Sequence, residues 1–153
     1  MFIFELIPQP YWQILLALLL GSILGAQREY TGKAAGLRTY SLVAVGAALF
    51  TTISINGFNQ FLVDASRYDP SRIASNVVVG IGFLGAGVII LRGVRVEGLT
   101  TAAGLWVSAG IGMAVGVEMY GLAIFTTILV FGVLEFLGKF DIEEWLLHKR
   151  RRF

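Results

Sequence analysis

The sequence predicts an all-α fold: a polytopic membrane helix bundle of about five transmembrane helices, N-terminus outside and C-terminus cytoplasmic. Three observations lead there. The 153-residue chain is 56% hydrophobic and 14% charged, whereas soluble domains carry roughly 25% charged residues. Its charges fall between apolar stretches rather than within them. Drawn as five spans, the chain places ten of its twelve Lys and Arg on one side, the asymmetry that holds loops in the cytoplasm. A soluble domain this small could not bury so much apolar surface, but lipid accepts helices that are apolar all round.

The spans are expected at about 9–27, 39–58, 71–91, 98–117 and 120–137, within a single transmembrane domain over 1–138. The first follows Pro8 and Pro10, which a helix tolerates at its start, and Tyr11 and Trp12 suit the headgroup zone. Glu5 is the only charge before Arg28, so the segment lacks the positive start of a signal peptide and is read as a retained helix. The second, Thr39 to Val63, and the third, Ile73 to Leu91, are uncharged. The fourth and fifth are parted only by Glu118-Met119-Tyr120-Gly121, read as a tight turn. The tail at 139–153 ends His148-Lys149-Arg150-Arg151-Arg152. It is either a short helix on anionic lipid or a solvated segment that sets topology.

Arg28, Lys33, Arg38, Arg92, Arg95 and the tail cations share the cytoplasmic face, leaving Arg67 and Arg72 outside. Gly36-Leu37-Arg38-Thr39 and Gly98-Leu99-Thr100-Thr101 share the pattern G-L-x-T, each before an outward-running span. Two parallel helical hairpins would produce that pattern, as would chance in a chain this rich in glycine and leucine.

Glycine supplies the packing signal. Gly80, Gly82, Gly85 and Gly87 form a G-x-G-x-x-G within an uncharged span. A dinucleotide site needs a preceding strand and a soluble βαβ unit, so close helix packing is the better reading. Thr100, Gly104, Ser108, Gly112 and Gly116 repeat at i+4, and Gly21 and Gly25 do so in the first span. A tight contact of the first, third and fourth helices is expected from these faces, or a homo-oligomer through some of them.

Two polar groups need an explanation. Asp69, Arg72 and Asn76 are spaced i+3 and i+4 and enter the membrane on one stripe, with Asn76 expected to face inward beside Gly80 and Gly87. They form either an outer polar site or a helix cap with an interfacial arginine. At the cytoplasmic mouths stand Arg28, Glu29, Arg38, Glu97, Thr100 and Thr101. The arginines either pair with Glu29 and Glu97 or leave a site for an anion or partner.

Several classes are excluded. With no cysteine and a lone histidine, His148, thiol-ligated metals and multi-histidine zinc sites are not expected. No nucleophile–base pair is visible, so neither an enzyme nor a cofactor is expected. A formal charge of +2 is too small to point to nucleic acid. No three carboxylates share a span, although magnesium needs few because it keeps its waters. The expected partners are the lipid bilayer and either a second copy or another membrane protein.

Four stretches together resemble the MgtC/SapB family of bacterial inner-membrane proteins: Ala35-Gly36-Leu37-Arg38-Thr39, Asp69-Pro70-Ser71-Arg72, Gly80 to Gly87, and Gly98-Leu99-Thr100-Thr101-Ala102-Ala103. The resemblance runs in order from about the first span to the fifth. It implies a role in magnesium homeostasis or stress adaptation, including pathogen survival inside host cells. Regulation of a membrane partner is implied by members linked to the ATP synthase; a small ion transporter or channel working as an oligomer is the alternative. The chain departs from the family's common Glu-Arg-Glu after the first span, carrying Gln27-Arg28-Glu29. Many members add a cytoplasmic C-terminal domain beyond the span that this chain covers, and functions needing it are not carried over.

Overall fold

The computed structural model describes residues 10–57, 69 and 71–137. The tail at 139–153, Arg67, Pro70 and the start of the first expected span lie outside these residues. Five α-helices and one β-hairpin make up the described part: α1 (Tyr11–Tyr30), α2 (Leu37–Asn56), α3 (Ser71–Gly87), β1 (Ile90–Arg92), β2 (Arg95–Glu97), α4 (Leu99–Gly116) and α5 (Tyr120–Phe136).

Local chemistry sets the helix ends. Helix α1 ends at Tyr30, and Gly32 just beyond it is left-handed at φ +65°. Lys33 N donates to Arg28 O and Gly32 N to Glu29 O, both at 3.0 Å, which satisfies carbonyls the helix end would otherwise orphan. Glu29 turns forward, and its Oε2 accepts from Leu37 N at 2.8 Å, capping α2. At α3, Asp69 Oδ1 accepts from Ser71 N at 2.9 Å and Ser71 Oγ at 2.6 Å. The two bonds to Ser71 hold the Asp69 carboxyl below its ordinary value, and Arg72 adds to this. Helix α4 ends with the same bond pattern as α1, but Glu118 takes the left-handed position at φ +66°.

Helix α2 is the centre of the bundle. Gly21 and Gly25 of α1 press on its first half: a Cβ on Gly21 would sit 2.8 Å from both Ala44 Cβ and Tyr40 O. Gly104, Gly112 and Gly116 of α4 press on its other side, against Tyr40, Ala44 and Thr51 in turn. Ser108 lies in the same row and donates from Oγ to Tyr40 O at 3.1 Å. Tyr40, Leu24, Leu105, Ile111 and Val115 are fully enclosed by these contacts. Leu19, Leu42, Phe50, Phe125 and Ile128 point outward.

The expected close contact of the first, third and fourth helices is therefore corrected: the tight triple is α1, α2 and α4. Helix α3 touches α4 more loosely, with Gly85 at ordinary contact distance from Ala102, 3.6 Å from a built Cβ. Gly80, Gly82 and Gly87 meet nothing within 4 Å. Ile81 and Gly85 are the buried positions of α3, and the helical period turns Asn76, Gly80 and Gly87 away from them.

The third helix also ends earlier than expected, at Gly87 rather than 91. Residues 90–97 form an antiparallel hairpin pairing Ile90 with Glu97 and Leu91 with Val96. Its two-residue turn places Gly93 at φ +61°, and Arg92 Nε lies 3.5 Å from Glu97 Oε2 across it. The run Val88-Ile89-Ile90-Leu91 is apolar and its first three residues are β-branched, and periodicity alone cannot tell such a run from helix. The two G-L-x-T stretches differ in backbone, Gly36 at φ −116° and Gly98 at φ +90°.

Candidate functional site

The ends of α1, α4 and α5 enclose a groove of about 900 Å³. Arg28 and Gln27 form its floor, Thr100 and Thr101 one wall, Leu134 and Glu135 another, with Lys33 at the rim. Arg28 is only 4% exposed. Its Nη2 donates to Thr101 Oγ1 at 3.1 Å, while its Nε is buried without a partner. Tyr40 Oη donates to Thr101 O at 3.3 Å, so α2 fixes the turn of α4 that Arg28 meets. Gln27 Nε2 reaches Glu135 Oε2 at 3.2 Å and Leu134 O at 3.4 Å, and Gln27 Oε1 is buried without a partner. Gly98 at the N-cap of α4 has no side chain to cap it, and among the described residues no other side chain does so, so its first amides present partial positive charge to the same groove.

Of the expected cytoplasmic group, the structure brings together Arg28, Thr100 and Thr101. Glu29 is taken up in capping α2. Glu97 pairs with Arg92 in the exposed hairpin. Arg38 is exposed and borders a separate apolar cleft between α2 and α3. The expected pairing of Arg28 and Arg38 with Glu29 and Glu97 is thus corrected: among the described residues neither arginine has a carboxylate partner. Steric placement explains this, since the hairpin carries Glu97 outward and the turn after α1 swings Glu29 to α2.

The expected outer group is not a connected interior cluster. Asp69 is a helix cap, Arg72 is exposed, and Asn76 is exposed with no side-chain hydrogen bond among the described residues. The end of the bundle opposite the groove instead holds a network that sequence reading missed. Gln13, 1% exposed, donates from Nε2 to Tyr120 Oη at 3.0 Å and Glu118 Oε1 at 3.3 Å. Its Oε1 accepts from Thr52 Oγ1 at 3.3 Å, and the Trp12 and Tyr120 rings meet at a tilt of 53° with centroids 4.5 Å apart. One signal was available. Gln13 and Gln27 stand fourteen residues apart in one apolar segment, which places them on the same helical face. Among the described residues, no three His, Cys, Asp or Glu side chains converge as a metal site.

Helices α2 and α4 are long and apolar enough to cross a bilayer, and α3 and α5 are shorter apolar helices. Apolar helices joined through glycine, with polar groups gathered at two ends, define the class: a helical-bundle membrane protein. Within that class, the chain belongs to the MgtC family, whose family model matches residues 14–142. It is 49% identical over 123 residues to "Putative magnesium transporter YhiD" of Escherichia coli K12, covering 80% of this chain and 57% of that one. It is 47% identical over 117 residues to Protein MgtC of Salmonella typhimurium LT2, covering 76% and 47%. It is 40% identical over 121 residues to an uncharacterized protein of Haemophilus influenzae Rd, covering 77% and 51%. The chain spans about half the length of these curated relatives. No solved structure matches it.

Proposed function

We propose that this protein serves magnesium homeostasis or stress adaptation from the bacterial inner membrane, by regulating another membrane protein through helix contact. The observation that carries the reading is the outer face of α3. Gly80 and Gly87 are open there, Gly80 at the edge of the cleft between α2 and α3, and Asn76 stands exposed on the same side of an apolar helix. Lipid offers an asparagine no hydrogen-bond partner, and small residues let a second helix approach closely. The family and the name carried by YhiD support the link to magnesium.

The test is growth. A deletion strain at low magnesium is expected to recover with the wild-type chain and not with Gly80→Leu, although Gly80→Leu folds normally because its Cβ meets nothing. Full complementation by Gly80→Leu overturns the reading. Transport is the second reading, favoured by polar groups at both ends of one helix, Gln13 and Arg28. Magnesium flux into liposomes holding only this protein would establish it in place of the first.

Five spans with a cytoplasmic C-terminus belong to the same proposal, supported by the distribution of Lys and Arg. Because the chain has no cysteine, Lys33→Cys and Phe153→Cys each supply a unique label. Both are expected to resist an impermeant maleimide applied to whole cells and to react after permeabilisation. Reaction of both from outside reverses the orientation, and reaction of one alone overturns the five-span count.

A further inference from the structure

We propose that the groove at the N-terminus of α4 binds a phosphate group, seated between the Arg28 guanidinium, the first amides of α4 and Lys33. This goes beyond the regulatory reading and does not depend on it.

Charge and burial carry the inference. An unpaired guanidinium is costly to take out of water. Arg28 is 4% exposed, yet among the described residues it has no carboxylate partner. Its contacts are with two neutral hydroxyls, Thr101 through Nη2 and Tyr40 beside the guanidinium, while Nε is buried with no partner. A structural arginine would have its donors filled, whereas this one lines an open groove. The second contribution is independent. Helix α4 begins without a side-chain cap, directly beside the guanidinium. Uncapped helix amides and an arginine are the two recurrent donors to phosphate, and here they converge.

The groove also contains Glu135, whose carboxylate is held by Gln27 on the far wall. Val96, Leu99, Val133 and Leu137 also line it, so the site is part polar and part apolar. A phosphodiester with hydrocarbon attached matches both halves. Basic pockets between membrane helices take lipid head groups by this same combination. A phospholipid head and a free phosphate share the recognised chemistry, and the experiment separates them.

The full chain is purified in a neutral detergent and stripped of lipid. In one arm it is reconstituted in nanodiscs of phosphatidylglycerol or of a neutral galactolipid with the same acyl chains, and lipid retention is read by native mass spectrometry. In the other arm, inorganic phosphate is titrated against the lipid-free protein and thermal unfolding is recorded. Arg28→Gln removes the cation. Thr100→Glu adds a repelling charge at an exposed position of the first turn of α4, where a carboxylate does not harm the helix. It keeps the test open if Arg28→Gln fails to fold.

Wild type is expected to retain phosphatidylglycerol over galactolipid, with about tenfold weaker retention in Thr100→Glu and in folded Arg28→Gln. A phosphate response in the lipid-free arm, weakened by the same variants, identifies a free-phosphate seat and equally supports the proposal. Equal retention of both lipids with no response to phosphate overturns it. So does a Thr100→Glu variant that binds like wild type.

Discussion

Gly112→Leu is expected to remove most folded protein from the membrane, at a cost of about 3 kcal/mol or more. A Cβ at this position would overlap the Ala44 carbonyl and lie 3.0 Å from Ala47 Cβ. These are backbone and methyl atoms of the central helix, with no flexible end to move aside. Ala44 is itself pinned from the opposite side, where Gly21 of α1 meets its Cβ. Helix α2 therefore cannot retreat from α4 without driving into α1. Gly110→Leu is the control: two residues away on the same helix, its Cβ meets nothing within 4 Å, so it should cost little. Expression yield and thermal unfolding in detergent check both. Equal stability of the two variants would show that α2 and α4 do not meet as described.

The small-residue rows of α1 and α4 were legible in the sequence; the surface that receives them was not. Glycine marks where a helix lets its own backbone be approached, and counting glycines pointed to α3. The receiving helix needs only side chains short enough to fit beneath them. Ala44, Ala47, Ala48 and Thr51 supply these at helical spacing, while Tyr40 presents its carbonyl to Gly21 and its hydroxyl to Gly104. An alanine row reads as ordinary helix in any apolar segment, so α2 carried no signal of its centrality.

The site was legible in part for a related reason. Arg28, Thr100 and Thr101 were recognised as polar residues at helix mouths, but their assembly depends on Tyr40, which fixes Thr101 from a third helix. Gln27 and Glu135 stand more than a hundred residues apart, beyond the reach of any local spacing. The inward placement of Asn76 failed because it borrowed its direction from Gly80 and Gly87, which are themselves unpacked within the chain. A glycine face shows where contact is permitted, and the contact can lie with another molecule.

Gly98→Val is expected to cost about 3 kcal/mol or more and to abolish retention of a phosphate-bearing ligand. Two independent penalties meet at this residue. Its φ of +90° is left-handed, where a β-branched side chain is strained. Its Cβ would also overlap Val88 O and lie 2.8 Å from Val88 C. Val88 bridges the end of α3 and the start of the hairpin, so the collision pushes the hairpin away from the first turn of α4. That turn carries the uncapped amides and Thr101, which both Arg28 and Tyr40 hold. Gly93→Val separates the two penalties. Gly93 has a comparable φ of +61° but open space around it, so only the conformational cost of about 1–2 kcal/mol applies. Its ligand retention should be unchanged, because the tip of the hairpin does not border the groove. Thermal unfolding and lipid retention measured on both variants decide the matter. If Gly98→Val loses no more than Gly93→Val in both measurements, the hairpin does not brace α4, and the groove must be held by Tyr40 and Arg28 alone.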